Sequence, residues 1–364
     1  MAVTAQAGIF SFGGQSAKGT LAATFYQHRA ADIDLATISD DRLGPPEVGG
    51  IPTPTIPYRA GVLATGGATI SPRLEDTFGW LFAGAVGSWS VTTDQNVFGT
   101  TTTNMNDHEF VFATNQGYVP YMSFRKEIPG AAADGSDDFG ETFKDCKIIA
   151  VTLALPNDGL ISTRVDVLGR ESEFEEDPTW TYGNTLMEDW ESIPIGCVAG
   201  GYLKVPSYSA TELPVVQATV TLTNAPLDIR QEKVFGDPYI EDVTVIGRSL
   251  TVDMLVKWTD PDLYQSIITG STSGTQWTAA PFTSDLDIYA VSSVDAPTTN
   301  PLTPWQLRVR ASELMYQAVG GIRLAGNNAL MQRITGTAIA PSSGEYVTFN
   351  VGNTVNATAY AWPT

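Results

Sequence analysis

The sequence predicts a mainly β protein of two tandem units, each an antiparallel β-sandwich or half-barrel flanked by one short α-helix. Three observations predict it: sparse charge with many turn residues, alternating runs between turns, and an element order that occurs twice. Charged residues make up 16% of 364, against 34 Gly and 22 Pro. Helix-rich soluble chains carry more charge, whereas Thr and Ser cover exposed strand faces. A hydrophobic fraction of 43% suffices for a packed core. The length suits two domains, expected at 1–180 and 181–364. The boundary falls in 171–194, whose acidic run Glu171, Glu173, Glu175, Glu176 and Asp177 reads as a solvated linker.

The repeat begins with a strand at 59–70 followed by a helix at 71–84, matched by a strand at 247–258 and a helix at 259–270. Ser71, or Thr259 and Asp260, suits an N-cap, and Pro72 or Pro261 the first helical position, where a missing donor costs nothing. Leu74, Phe78, Leu81 and Phe82 make an apolar stripe, as do Leu263, Ile267 and Ile268. Gly84 and Gly270 are the expected stops. Each half then carries a strand pair, 109–112 with 121–126 and 286–290 with 305–310. Each ends in a hairpin: 147–155 and 160–169 around Asn157-Asp158-Gly159, and 317–325 and 329–339 around Gly326-Asn327-Asn328. An opening strand at 215–224 puts Val216, Ala218, Val220 and Leu222 on one face, and 20–26 is its expected counterpart. Gly66-Gly67 inside a strand marks a bulge or a close backbone approach. The Pro- and Gly-rich stretch 40–57 and its equivalent 230–239 read as loops, as does 129–140.

Signatures of catalysis are sparse. The two histidines, His28 and His108, lack triad or metal spacing, and His108 reads as a surface-loop residue. Asp134, Asp137, Asp138 and Glu141 do not follow calcium-loop spacing. No phosphate-binding glycine motif is present. Trp80, Trp258 and Trp305 read as core, and Cys146 and Cys197 as ordinary thiols rather than a disulfide framework. The chain therefore reads as a non-enzyme with no catalytic, cofactor-binding or metal-binding residues. A net charge of −20 opposes wrapped nucleic acid, yet suits a wall past which DNA slides without sticking. Met1–Gly13 lacks a signal-peptide pattern and no run reaches membrane-spanning length, so no membrane partner is expected.

The ordered repeat resembles the major tail tube proteins of long-tailed, siphovirus-like bacteriophages, in their duplicated-domain form. The segments 72–84, 143–149 with 165–169, and 222–227 carry the likeness, which covers most of 15–345 as pattern rather than dense identity. The resemblance implies a structural virion protein with no cofactor. Three copies would close a ring with pseudo-sixfold symmetry, and rings would stack into a tube whose acidic lumen conducts the genome. Implied partners are further copies of the chain, tape-measure and terminator or tip proteins, and double-stranded DNA passing unbound. The implied location is the virion tail, after assembly in the host cytoplasm. Candidate contacts between subunits or rings are Arg42, Pro45, Glu47, Ile51, Tyr58, Glu232, Phe235 and Tyr239; candidate lumen acids are Asp166 and Asp253. The stretch 346–364 is expected on the tube exterior or paired with a neighbour. The rivals are a tail terminator, a capsid decoration protein and a secreted carbohydrate-active β-protein.

Overall fold

The computed structural model describes residues 8–45, 53, 56–75, 77–113, 118–130, 137–184, 195, 200–205, 212–259, 261–296, 299–320, 329–341, 345–356 and 358–363. It is mainly β, with two short α-helices among the described residues. In chain order the elements are β1 (Ile9–Gly14), β2 (Tyr26–His28), β3 (Ala30–Ile33), β4 (Ala36–Leu43), β5 (Pro57–Ile70), α1 (Gly79–Val86), β6 (Gly87–Thr92), β7 (Asn106–Phe112), β8 (Met122–Ile128), β9 (Phe139–Leu155) and β10 (Ser162–Glu176). The second half continues with β11 (Gly201–Lys204), β12 (Val215–Pro226), β13 (Val245–Lys257), α2 (Asp262–Thr269), β14 (Thr283–Asp295), β15 (Pro304–Ala318), β16 (Met331–Ala338) and β17 (Val347–Asn353).

Strand alternation and turn chemistry explain the pairing. Gly159 takes φ +100 after Asp158, and β9 and β10 form one long hairpin from Ala154↔Ser162 to Phe139↔Glu176. β10 pairs β5, and β5 pairs β3 and β4 on its other edge. The second half lays out the same order: β12 pairs β13, β13 pairs β16, and β16 pairs the end of β15. The two series meet where β9 pairs β12, from Leu155↔Ala218 to Ala150↔Thr223. A continuous antiparallel run β4-β5-β10-β9-β12-β13-β16-β15 results.

The long strands β9 and β15 also belong to a second layer. The first part of β9 pairs β8, which pairs β1, which pairs β2. The first part of β15 pairs β14 and β17; β14 pairs β11, and β17 pairs β7, which pairs β6. Leu153 and Val220 of the first layer face Ile288, Leu307 and Val309 of the second, and one apolar cluster runs through both halves. α1 is sealed inside it: Phe82 stacks on Phe349 at 4.6 Å and packs on Phe78 and Phe110. Each such buried aromatic contributes about 1.5–3 kcal/mol of transfer free energy.

Several expectations are corrected. α1 starts at Gly79 behind Phe78, not at Pro72, and stops at Gly87 (φ 88), not Gly84. All eight of its residues are buried, so burial between layers replaces the expected stripe and side-chain cap. Gly84 lies inside the helix, where a Cβ would sit 2.2 Å from Met122 Sδ. α2 does stop at Gly270, but its N-cap is Pro261. The counterpart of β12 is β3 with β4 rather than 20–26, of which only Tyr26 lies in a strand. Residues 40–43 are strand rather than loop. β7 and β8 do not pair each other; β17 takes the place beside β7. The acidic run 171–176 is the end of β10, with Glu171 and Glu173 opposite Lys144 at 3.3 and 3.4 Å. The C-terminal stretch packs on the chain itself: Trp362 Nε1 donates to Gln15 O at 2.8 Å, and Tyr360 and Trp362 pack on Trp80. The turn 326–328, Asp134, Cys197 and most of the 181–194 boundary lie outside the described residues.

Gly67 is the close approach its neighbours suggested. A Cβ there would lie 1.9 Å from the carbonyl oxygen of Val165, whose residue it faces diagonally across the β5–β10 ladder. Gly67→Ala should therefore cost about 3 kcal/mol or more, because backbone must move. At Gly247 a Cβ meets nothing nearer than 4.0 Å, and Gly247→Ala should be neutral within about 0.5 kcal/mol. Urea unfolding of both variants checks the contrast.

Candidate functional site

The continuous layer turns one face outward, and that face is largely threonine. Alternation sends Val151, Leu153, Val165, Val220, Leu222 and Val252 into the core and their neighbours out. One rung runs Thr69-Arg164-Thr152-Thr221-Thr251-Thr337 across β5, β10, β9, β12, β13 and β16. Thr152 and Thr221 hydroxyls lie 3.3 Å apart across the junction of the two halves. Asp166 and Asp253 both lie on this face, each beside an arginine. Arg164 Nε donates to Asp166 at 2.8 Å, and its other nitrogen reaches Asp34 at 2.7 Å. Arg333 Nε donates to Asp253 at 2.8 Å, which holds that carboxyl below the usual carboxylate range.

The layer has two ends. Among the described residues, no strand pairs the outer edge of β4, and β15 pairs only β16 beyond Tyr316, whose N still donates to Phe282 O at 3.0 Å. The edge at β4 is mixed: Ile38 and Leu43 are exposed beside Asp40, Asp41 and Arg42, and Ile56 and Tyr58 are exposed where β5 begins. Of the candidate contact residues there, Arg42 is paired to Asp40 at 2.7 Å, and Pro45 is exposed just past the strand. Glu47 and Ile51 lie outside the described residues.

The loop between β12 and β13, by contrast, is docked on the first half. Val62 N donates to Pro238 O at 2.9 Å and Lys233 Nζ to Ala60 O at 3.1 Å. Arg170 reaches Asp237 at 3.1 Å and Ile240 O at 3.0 Å, and its guanidinium lies 5.6 Å from the Tyr239 ring. Glu232 accepts from Thr244 N at 3.2 Å. Lys147, buried in β9, bonds Val243 O at 2.8 Å and Asp242 at 3.1 Å, over the Tyr121 ring. Burial pushes the Asp242 carboxyl up, but the Tyr121 hydroxyl, Lys147 and the Val243 amide outweigh it and hold it below the usual range. Phe235 at the tip touches none of this and is fully exposed.

Sequence reasoning missed Asn224, which is buried and donates 2.9 Å bonds to Ala85 O of α1 and Ile148 O of β9. The signal was present: Asn224 continues the apolar parity of Ala218, Val220 and Leu222. It ties the second half's first strand to the first half's core. No sequence signal marks Lys147 as a junction residue.

Elsewhere, His108, Cys146 and Arg308 are held by burial or by bonds within the fold, while a few buried polar atoms, among them Trp305 Nε1 and Arg310 Nε, have no hydrogen-bond partner among the described residues. His108 is a buried strand residue, not a loop residue; Trp89 Nε1 donates to its Nδ1 at 3.4 Å, and burial lowers its pKa to about 4. Cys146 is fully buried, which pushes its thiol up. In the groove of Asp285, Asp287, Arg308 and Arg310, Arg308 grips Asp287 with two 2.8 Å bonds. No group of three or more His, Cys, Asp or Glu suited to a metal occurs among the described residues. No helix among them is long and apolar enough to cross a membrane. No protein-family model matches the chain, and a search of curated proteins returns no match.

Proposed function

We propose that this chain is a structural protein that builds a tube from copies of itself, of the kind found in the tails of long-tailed bacteriophages. The β9–β12 junction carries the reading. Inside one chain, the last strand of one series pairs edge to edge with the first strand of the next. The outer edge of β4 and the end of β15 are the same two positions in the repeat, and both stand open among the described residues. Joining them between copies repeats a contact the fold already makes, and it satisfies strand edges that otherwise invite aggregation. Three copies would place about 24 strands around a channel, wider than the barrels that leave an aqueous pore. The threonine face then lines the channel, where passing DNA meets mostly hydroxyls and arginine-paired carboxylates, with Lys257 exposed at the end of β13. The chain's −20 charge further opposes adhesion.

Negative-stain microscopy of the purified chain tests this. Long tubes with a central channel are expected. Monomers at all concentrations, or closed rings that never stack, would overturn it.

A further inference from the structure

The loop that clamps the two halves holds an apolar side chain where it has no use within the chain. Phe235 is 106% exposed and Val234 is 52% exposed. The tip is not slack. Lys233 bridges Ile240, Asp237 N donates to Val234 O at 3.2 Å, and Gly236 makes the turn at φ +91. Arg170, Lys147 and Lys18 hold the following residues through Asp237, Asp242 and Glu241. An anchored tip that keeps a phenylalanine in water resembles a preorganised binding anchor.

A receptor of matching size lies at the opposite end of the same strand. The loop leaves the C-terminal end of β12, and at the N-terminal end a cleft of about 240 Å3 opens between the two layers. Leu155, Ile161, Leu203, Leu213, Val215 and Ile288 supply its apolar wall. Pockets for drug-sized ligands run from roughly 300 to 1,000 Å3, so this one suits a single side chain better than a small molecule. Glu212 stands exposed at its rim, 3.8 Å from Lys204, and Arg230 stands exposed on the loop that carries Phe235.

We propose that Phe235 of one copy seats in the Leu155–Leu203–Val215 cleft of the next copy along the tube axis. The proposal rests on the tube reading and supplies its axial contact. A knob at one end and a hole at the other make a heterologous contact that does not close, and such contacts generate filaments. The twelve residues of β12 span about 40 Å along the strand at roughly 3.3 Å each, and with strands tilted about 35–45° in a closed barrel the contact implies an axial step of about 30 Å. The contact also continues the junction already present, because the loop that bears Phe235 is the one that joins the halves.

Two variants test it. Phe235→Ser removes a side chain that touches nothing in the monomer, so melting should not change. The concentration needed for tubes should rise at least about tenfold, as for loss of a buried aromatic anchor, leaving unstacked rings. In a Cys197→Ser background, Phe235→Cys with Gln217→Cys should give a ladder of disulfide-linked copies on non-reducing gels, and neither single cysteine should. Wild-type tubes that Phe235→Ser leaves undiminished, or a double variant without a ladder, would overturn this contact alone. A wild-type chain that stays monomeric would overturn the tube reading and this contact with it.

Discussion

Ile38→Lys on β4 and Val319→Lys beyond β15 should each abolish tubes while leaving the monomer folded. Both side chains are about half exposed in the single chain, at 53% and 47%, so neither substitution disturbs the core. Their effect on monomer stability should stay within about 0.5 kcal/mol. Between copies the balance is different. Edge pairing would bury an isoleucine or valine worth about 1.5–3 kcal/mol, and a lysine there loses that and adds a desolvated charge. Lysine on a strand edge is also how natural sheets block pairing. A closed ring uses each edge once per copy, so the loss recurs at every joint, and the assembly threshold should rise at least about a hundredfold. Mixing the two variants gives the sharper result. Each retains the edge the other has lost, so one good joint forms per pair and growth stops there. In a Phe235→Ser background, which removes the axial contact, sedimentation should show a one-to-one dimer in the mixture and monomers in each variant alone. Tubes from either variant, or from the mixture, would refute edge pairing as the lateral contact.

The parts of this fold legible in the sequence are those set by local chemistry. Alternation marked β12 and β13, Asp158-Gly159 marked the first hairpin, and Gly66-Gly67 marked the approach of β5 to β10. The misses share a cause: tertiary burial decided them. The segment at α1 is apolar all round because two layers and β17 enclose it, so a stripe and a Pro start misplaced its first turn. Glu171 to Glu176 resembled a solvated linker, but pairing with β9 and the charge of Lys144 make a strand of it. The partner of β7 comes from residue 347 onward, a separation no local pattern reports. Of the candidate contact residues, Phe235 was one among eight in the sequence and became informative only once the structure showed its loop pinned on both sides. The paired state of Asp166 and Asp253 needed the neighbouring strands, since Arg333 lies 80 positions from Asp253.

Stability of the monomer should fall steeply as pH drops from about 6.5 toward 4. His28 and His108 are both buried as neutral rings, and burial, their largest cause, lowers each to about 4. An unfolded histidine titrates near 6.5, so between those values the unfolded chain binds protons the native chain refuses. The stabilising contribution is therefore complete above about 6.5 and is lost progressively toward 4, at about 1.4 kcal/mol per pH unit for each ring. Asp107 works in the opposite sense. Burial raises its carboxyl to about 6, against a 2.9 Å bond from Asn350 Nδ2, so the native chain gains a proton there that the unfolded chain takes up only near 4. Two rings against one carboxyl leave a net loss of about 1.4 kcal/mol per unit around pH 5, or about 4 kcal/mol over the interval. Relief of the −20 net charge on acidification acts alike on wild type and variants, so a comparison removes it. His108→Gln keeps an acceptor for the Trp89 indole and should cut the pH slope by one proton's worth, leaving His28 and Asp107 nearly balanced. Urea unfolding at pH 7, 6, 5 and 4.5 reads both slopes. Equal slopes in the two proteins would show that His108 is protonated in the folded chain at pH 5, and that burial does not hold it neutral.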